Sequence, residues 1–330
     1  MSNPSMTLPV STVSIERVEV SSRGLWKEVP ALKRDGETIV AKGQWIRIAS
    51  LLDEDWVERE LRKPEECIGV LKAHSREFKA DILRFSQMVP DTLPRYDFPL
   101  EMRSLAVAEV GDFKRWWEGL PQESRKNVRR SQKRGVRIEI KEFGPEVIAG
   151  IAGVQNETPV RQGRRYPHYG KSLEQVRRDH GAFQDRSTFL CAYFEQEMIG
   201  FLKLVYRGRV ASLLQLNSKV AHHDKRPSNA LMAKAAELCA ERGVHYLTYG
   251  LFNYGAKGHS PLREFKERNG FREMLIPSYY VPLTSWGDIC VRFKLYRGIQ
   301  EMIPKKMMAT ALNLRARWYT LHTSKAGVAQ

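Results

Sequence analysis

The segment AHHDKRPSNALMAKAAELCAERG (Ala221–Gly243) carries a basic turn into a helix. A helix start leaves backbone N–H groups without intrahelical partners, and the aligned peptide dipoles favour negative charge there. With Lys225 and Arg226 beside it, Pro227 fixing the approach and Ser228 or Asn229 as N-cap, this turn can grip a pyrophosphate. A capped helix among solvated charges would use the same residues. The second place is the polar connection NETPVRQGRRYPHYGKSLEQV (Asn156–Val176), where Arg161, Arg164, Arg165, His168, Tyr169 and Lys171 crowd a stretch without periodicity. Arginine forks suit phosphate or carboxylate, Tyr166 and Tyr169 can stack on a base or sugar, and His168 titrates near neutrality. Its alternative is a solvated excursion.

These residues need elements to position them. Residues 1–14 are rich in Ser, Pro and Thr and read as a loose arm. Short strand pieces follow at Val18–Val20, Ile39–Val40 and Trp45–Ala49, then an acidic helix Leu51–Lys63 ahead of Pro64. The proline-rich stretch Ser86–Glu101 reads as a connection, with a boundary near residue 95. Beyond it, periodicity predicts a strand at Ser104–Val110, a short helix from Asp112, a helix Glu123–Gly135, a strand Val136–Ile140, and helices from Pro145 and over Leu173–His180. Three strands at 188–194, 198–206 and 209–217 are joined by turns short enough for an antiparallel meander. A helix from Ser228 to Arg242, a strand 244–250, a helix Pro261–Arg268, an extended segment Phe271–Leu283 and a helical tail 286–322 complete the order. This is an α/β or α+β mixed sheet with helices on both faces.

Composition narrows the partners. Lys and Arg number 54 against 38 Asp and Glu, a formal charge of +16, which favours partners carrying phosphates. The 42% hydrophobic and 28% charged fractions are those of a globular chain. The four cysteines are scattered, with no CxxC pair, so neither a disulfide framework nor a structural zinc site is expected, and no metal is implied elsewhere. No secretory signal and no spanning run is visible, so a cytoplasmic location is expected. Peripheral contact with the inner membrane face is possible through the basic tail Val291–Lys325.

The order strand, basic turn, helix, strand resembles the acyl-donor site of the GNAT N-acyltransferase fold. That family's turn reads Arg/Gln-x-x-Gly-x-Gly/Ala, and this chain has Lys225-x-x-Ser228-x-Ala230. Two further segments resemble the FemABX branch, the aminoacyl-transferases of peptidoglycan bridges. One is WWEGLPQESRKNVRRSQKRGVRIEI (Trp116–Ile140). The other is LREFKERNGF (Leu262–Phe271), similar to the branch's Phe-Lys-x-x-x-Gly-Phe element. The resemblance implies a GNAT-like fold of two units, the first abbreviated: an arm at 1–14, a first unit at 15–95, a transferase domain at 96–285 and a basic extension at 286–330. It implies that Lys266 lies beside the reacting carbonyl and that Phe265 of the same motif contacts substrate. Lys225, Arg226, Ser228, Asn229 and Ala230 would hold the donor.

Moving an acyl group onto an amine needs a free amine, a polarised carbonyl and their alignment. Lys266 can stabilise the oxyanion, His168 can accept the amine's proton, and Tyr249, Asn253 or Tyr254 can protonate the leaving group. Arg161, Arg164, Tyr169 and Lys171 are expected to bind an anionic acceptor, a cell-envelope precursor or a nucleotide-linked sugar. The donor is expected to be acyl-CoA, with aminoacyl-tRNA as the alternative. The six Lys/Arg of Arg125–Arg134 form a positive stripe suited to tRNA or a polyphosphate. Against this stand a non-catalytic nucleic-acid-binding protein and a GNAT fold that has lost catalysis.

Overall fold

Short turns between apolar runs fold the chain back on itself, and this happens twice. In the computed structural model, residues 13–22, 25–161, 164–253 and 260–297 are described. Strands β1 (Ser14–Ser22), β2 (Leu25–Arg34), β3 (Glu37–Lys42) and β4 (Ile48–Leu51) form an antiparallel meander. The two-residue turn from β2 to β3 places Asp35 and Gly36 at φ 49° and 75°, the backbone that matches strand twist in a tight hairpin. Helix α1 (Pro64–Ala73) then crosses to β5 (Ile82–Ser86), which pairs parallel to β4.

The second half repeats that order after a prelude of β6 (Leu100–Glu109), α2 (Phe113–Gly119), α3 (Gln122–Lys133), β7 (Val136–Lys141) and α4 (Pro145–Gln155). The polar connection contributes two-residue strands β8 (Val160–Arg161) and β9 (Arg164–Arg165), and α5 (Leu173–His180) follows. The meander is β10 (Ser187–Phe194), β11 (Glu197–Arg207) and β12 (Val210–Ser218). Helix α6 (Pro227–Glu241) crosses to β13 (Tyr246–Leu251), parallel to β12. Then come α7 (Pro261–Arg268), β14 (Arg272–Pro282) and α8 (Ser285–Arg292). All but the two smallest strands join one mixed sheet in the order β1-β2-β3-β4-β5-β14-β6-β13-β12-β11-β10-β7. The last long strand therefore sits between the two halves.

Alternation along β11 assigns the faces. Leu202 and Leu204 join Trp116, Val128 and Leu231 beneath α2, α3 and α6, whereas Phe201 joins Ile151, Val154 and Val176 beneath α4 and α5. Each such side chain, fully buried, contributes on the order of 1.5–3 kcal/mol. Two side-chain bonds hold α7 to this frame: Trp116 Nε1 donates to Asn269 O at 3.3 Å and Ser124 Oγ to Arg268 O at 2.6 Å.

The strands and helices expected between residues 100 and 283 form within a few residues of their expected ends, and the helix expected from residue 286 forms as α8 but stops at Arg292. The acidic segment Leu51–Lys63 is the exception. It is a run of turns, and the helix begins at Pro64, where a proline lacks only a donor the first helical turn would not use. Tertiary pairing overrides its helical composition: Glu54 and Glu58 are buried beside Arg84 (4.0 Å) and Arg103 (3.2 Å). The tail beyond residue 297 lies outside the described residues. Among those described, no helix is long and apolar enough to cross a membrane.

Where β14 joins the halves, its buried Tyr279 hydroxyl donates to Gln87 Oε1 (2.5 Å) and accepts from the Arg95 N–H (2.8 Å), ordering the proline-rich connection. Tyr279→Phe is expected to destabilise the protein by about 0.5–1.5 kcal/mol, because the hydroxyl's two bonds are lost while Gln87 Oε1 and the Arg95 N–H keep each other at 2.9 Å. Urea unfolding midpoints at constant slope check this.

Candidate active site

Parallel strands normally stay in register over their length, yet β12 and β13 pair only from Val210–Tyr246 to Ser212–Thr248. Two irregularities part them. Leu214 is an extra residue in β12, since Lys203 faces Gln215 while Leu204 faces Leu213, and such a bulge bends its strand. In β13 the pairing with β6 shifts between Thr248 and Leu251, with Gly250 at φ 56°. Beyond Ser212 and Thr248 a notch opens at the carboxyl ends of two parallel strands, the end of a sheet where ligands commonly bind.

On the α6 face of the notch stands Lys266. Its side chain is fully buried, its Nζ donates to the carbonyl of Leu251 at 2.5 Å, and the ammonium lies 4.8 Å from the centre of the Tyr249 ring, which packs on Phe271. Burial lowers its pKa to about 8, so the side chain is still largely cationic at neutral pH. Lys266 and Tyr249, named from the sequence for different roles, are in contact in the fold. Phe265 packs at the margin of the same core. Asn253 bonds Arg263 (3.0 Å) and Glu273 (3.3 Å), and Tyr254 lies outside the described residues.

The donor turn differs in detail from expectation. Arg226, at φ 57°, is the N-cap and Pro227 the first helical residue, so Ser228 and Asn229 fall one turn position inside the helix. Pro227 has no N–H, and those of Asn229 and Ala230 both reach the Arg226 carbonyl (3.1 and 3.4 Å). Ser228 Oγ bonds Ser218 Oγ at 3.0 Å. Lys225 folds over the Phe194 ring (4.7 Å). Upstream, the Glu157 carboxylate already accepts from the N–H groups of Val220 and Ala221 at 2.6 and 2.8 Å. Few donors of this turn are left for a diphosphate.

The polar connection closes over the opposite side of the splayed strand. Tyr166 OH donates to Asn217 Oδ1 (2.9 Å), and Arg161 donates to Ser218 O (3.2 Å) and Val154 O (2.7 Å) while stacking on Tyr166 (4.2 Å). Arg161 thus braces the loop against β12. Lys171 pairs with Asp179 and donates to His168 Nδ1 at 3.3 Å. An ammonium only donates, so Nδ1 accepts, the proton of neutral His168 sits on Nε2, and the ring presents a donor. Burial and the Lys171 charge lower the His168 pKa, which keeps it neutral. Tyr169 is exposed, and Arg164 lies in β9.

His168 and Lys171 line a cavity of about 230 Å³ together with residues that the sequence reading passed over: Asp53, Lys203, Gln215 and two tryptophans, Trp26 and Trp56. Lys203, buried at the centre of β11, donates to the carbonyls of His180 (2.7 Å) and Ala182 (2.5 Å). Burial lowers its pKa to about 8; burial and the Lys203 charge push neighbouring His180 to about 3. A single charge inside the apolar run MIGFLKLVY was the available signal. Asp53 had none, because its segment read as a helix.

Lys203 yields a test by linkage. Its folded pKa lies below the ordinary 10.5, so from about pH 8 to 10.5 the unfolded chain binds more protons and the wild type gains stability as pH rises. The stability difference between wild type and Lys203→Met should shift toward the wild type by up to about 3 kcal/mol across that window. Denaturant titrations at several pH values read it, and a flat difference overturns the buried-ammonium account.

Solved structures share this architecture. FemX aligns at 11% identity with a TM-score of 0.57 over 84% of this chain and 90% of FemX. A C-terminal domain from Agrobacterium fabrum, assigned to lysylphosphatidylglycerol synthetase, aligns at 14% identity and 0.52 over 78% and 84%. A protein of unknown function from Bacteroides thetaiotaomicron aligns at 9% and 0.52 over 77% and 86%. Neither the family models nor the curated proteins include a match. The twice-repeated meander and crossover, with its splayed parallel pair, is a GNAT-like fold related to that of the FemABX transferases, as the motifs at Lys225–Ala230, Arg125–Arg130 and Phe265–Phe271 led us to expect.

Proposed function

We propose that this chain transfers an aminoacyl group from tRNA to an amine by direct attack. The observation that carries the reading is the notch between β12 and β13, with a buried cation on one face and a polar cavity on the other. The carrier's ester carbonyl enters from the α6 face and the amine from the cavity. One C–N bond forms, one C–O bond to the ribose breaks, and the proton lost by nitrogen ends on the departing ribose oxygen. Lys266 stabilises the oxyanion between these events, and holding both partners in line lowers the barrier further.

Charge and occupancy favour tRNA over acyl-CoA as carrier. The turn before α6 offers a diphosphate few free N–H groups, Glu157 having taken two of them. Beside it, α3 presents Lys126, Arg129 and Lys133 to solvent, and Arg134 reaches Asp224 of the turn. A cleft of about 500 Å³ between α2, α3 and α6 is bordered by Phe113, Trp117 and Arg129, the last lying 5.9 Å over Trp117. Aromatic faces with cations suit unpaired nucleotides. The division near residue 95 and a cytoplasmic site of action form part of this proposal.

Incubating the protein with a pool of radiolabelled aminoacyl-tRNAs and a primary amine should give an amide at the expense of charged tRNA. Lys266→Met should lower kcat/KM by about 10²–10³-fold, the usual cost of losing one oxyanion donor. Transfer from acyl-CoA and none from charged tRNA would replace the carrier. Removing three phosphate contacts with Lys126→Ala, Arg129→Ala and Lys133→Ala should reduce the slope of log affinity for tRNA against log salt by about 2–3. An unchanged slope places the carrier elsewhere.

A further inference from the structure

The lysines of the 230 Å³ cavity are already engaged, and two of its acceptors are not. Lys171 is committed to Asp179 and His168, Lys203 to two backbone carbonyls, and Lys42 lies beside Asp55 at 3.5 Å. Glu19 is paired with Arg178 at 2.6 Å. By contrast, Gln215 Oε1 is buried without a hydrogen-bond partner, and the half-buried Asp53 carboxylate makes no hydrogen bond or ion pair among the described residues. Lys42, Arg59 and Arg186 act on Asp53 only through space, and burial raises its pKa despite them.

Asp53 is also held at φ 67°, a left-handed conformation that residues with a side chain seldom adopt. The turn that carries it is pinned from below, by Glu54 and Glu58 beside Arg84 and Arg103 and by the Glu58 N–H donating to Ser212 Oγ at 3.3 Å. A constrained carboxylate facing a cavity is a preorganised acceptor. Two tryptophans complete the walls. Trp26 is covered on one face by Arg178 at 4.5 Å, and Trp56 is 56% exposed. Indole faces attract cations. A primary ammonium, with three donors and one positive charge, matches a free carboxylate, a free amide oxygen and aromatic walls; an anion would meet Asp53.

We infer that this cavity binds a primary ammonium group on Asp53 and Gln215, between Trp26 and Trp56, and that this group, once it has passed one proton to the Asp53 carboxylate, is the nucleophilic nitrogen of the acceptor, its second proton leaving with the ribose oxygen. The second clause rests on the transfer reading above; the first does not. The first half of the chain thereby supplies the acceptor contact for a reaction centred on the second half, and any anionic part of the acceptor lies outside the cavity.

Calorimetric titration of the full chain with cadaverine, in the absence of tRNA, tests the site. The wild type should bind it, Asp53→Asn should weaken binding at least about tenfold, and Gln215→Leu should weaken it less. Trp56→Ala, a change at an exposed side chain, should also weaken binding and serves if Asp53→Asn fails to fold. Glutarate, a dianion of similar length, should bind more weakly than cadaverine. Equal binding of cadaverine by wild type, Asp53→Asn and Trp56→Ala overturns the inference, as does a preference for glutarate. Cadaverine binding through Asp53 with no transfer from charged tRNA would sink only the transfer reading.

Discussion

Two parallel strands that stop pairing govern this molecule. A sheet interior normally leaves no backbone group without a ladder partner, because each unsatisfied group costs free energy. Here the ladder between β12 and β13 ends after Ser212 and Thr248, and the bulge at Leu214 with the shift around Gly250 bends the strands apart. The exposed ends are then covered selectively. Arg161 and Tyr166 cap Ser218 and Asn217 on one face, while α7 brings Lys266 to the Leu251 carbonyl on the other. The residues of chemical interest are those drawn in to cover this gap.

Both buried lysines follow from that arrangement. An ammonium in a low-dielectric interior is unfavourable unless carbonyls or aromatic faces replace its water. Lys266 has the Leu251 carbonyl and the Tyr249 ring; Lys203 has two carbonyls and lies 5.2 Å over Phe189. Burial still lowers both pKa values to about 8. They lie on opposite faces of one sheet, so the notch has a cation on each side. The first half completes the enclosure. Its edge strand β1 pairs Glu19 with Arg178 of α5, and its acidic turn is locked onto Ser212 of β12.

Legibility followed the range of the forces involved. In the second half, strand and helix periods, glycine stops after α3 and α6, and two-residue turns in the meander were readable because they depend on neighbours a few residues away. The helix of the motif Phe265–Phe271 was readable for the same reason, being set by Ser260 and Pro261 at the start and Gly270 at the end, whereas the resemblance to the FemABX element pointed to Lys266 within it. The loop Asn156–Val176 was read as an acceptor-binding segment; in the fold Arg161 braces it through Ser218 O and Val154 O, and Lys171 pairs with Asp179.

From sequence alone came the mixed sheet, the order of elements beyond residue 100 and the basic stripe on α3, and a family resemblance singled out the lysine of α7. Only the tertiary structure decided that Leu51–Lys63 is a turn and not a helix, since its carboxylates are buried against arginines from β5 and β6, 30 to 45 residues onward. Only it could place Asp53 opposite Gln215, across 162 positions of chain, in one cavity. Local propensity is written in a few adjacent side chains; which charge meets which, and which is left without a partner, is set when distant strands pack and exclude water.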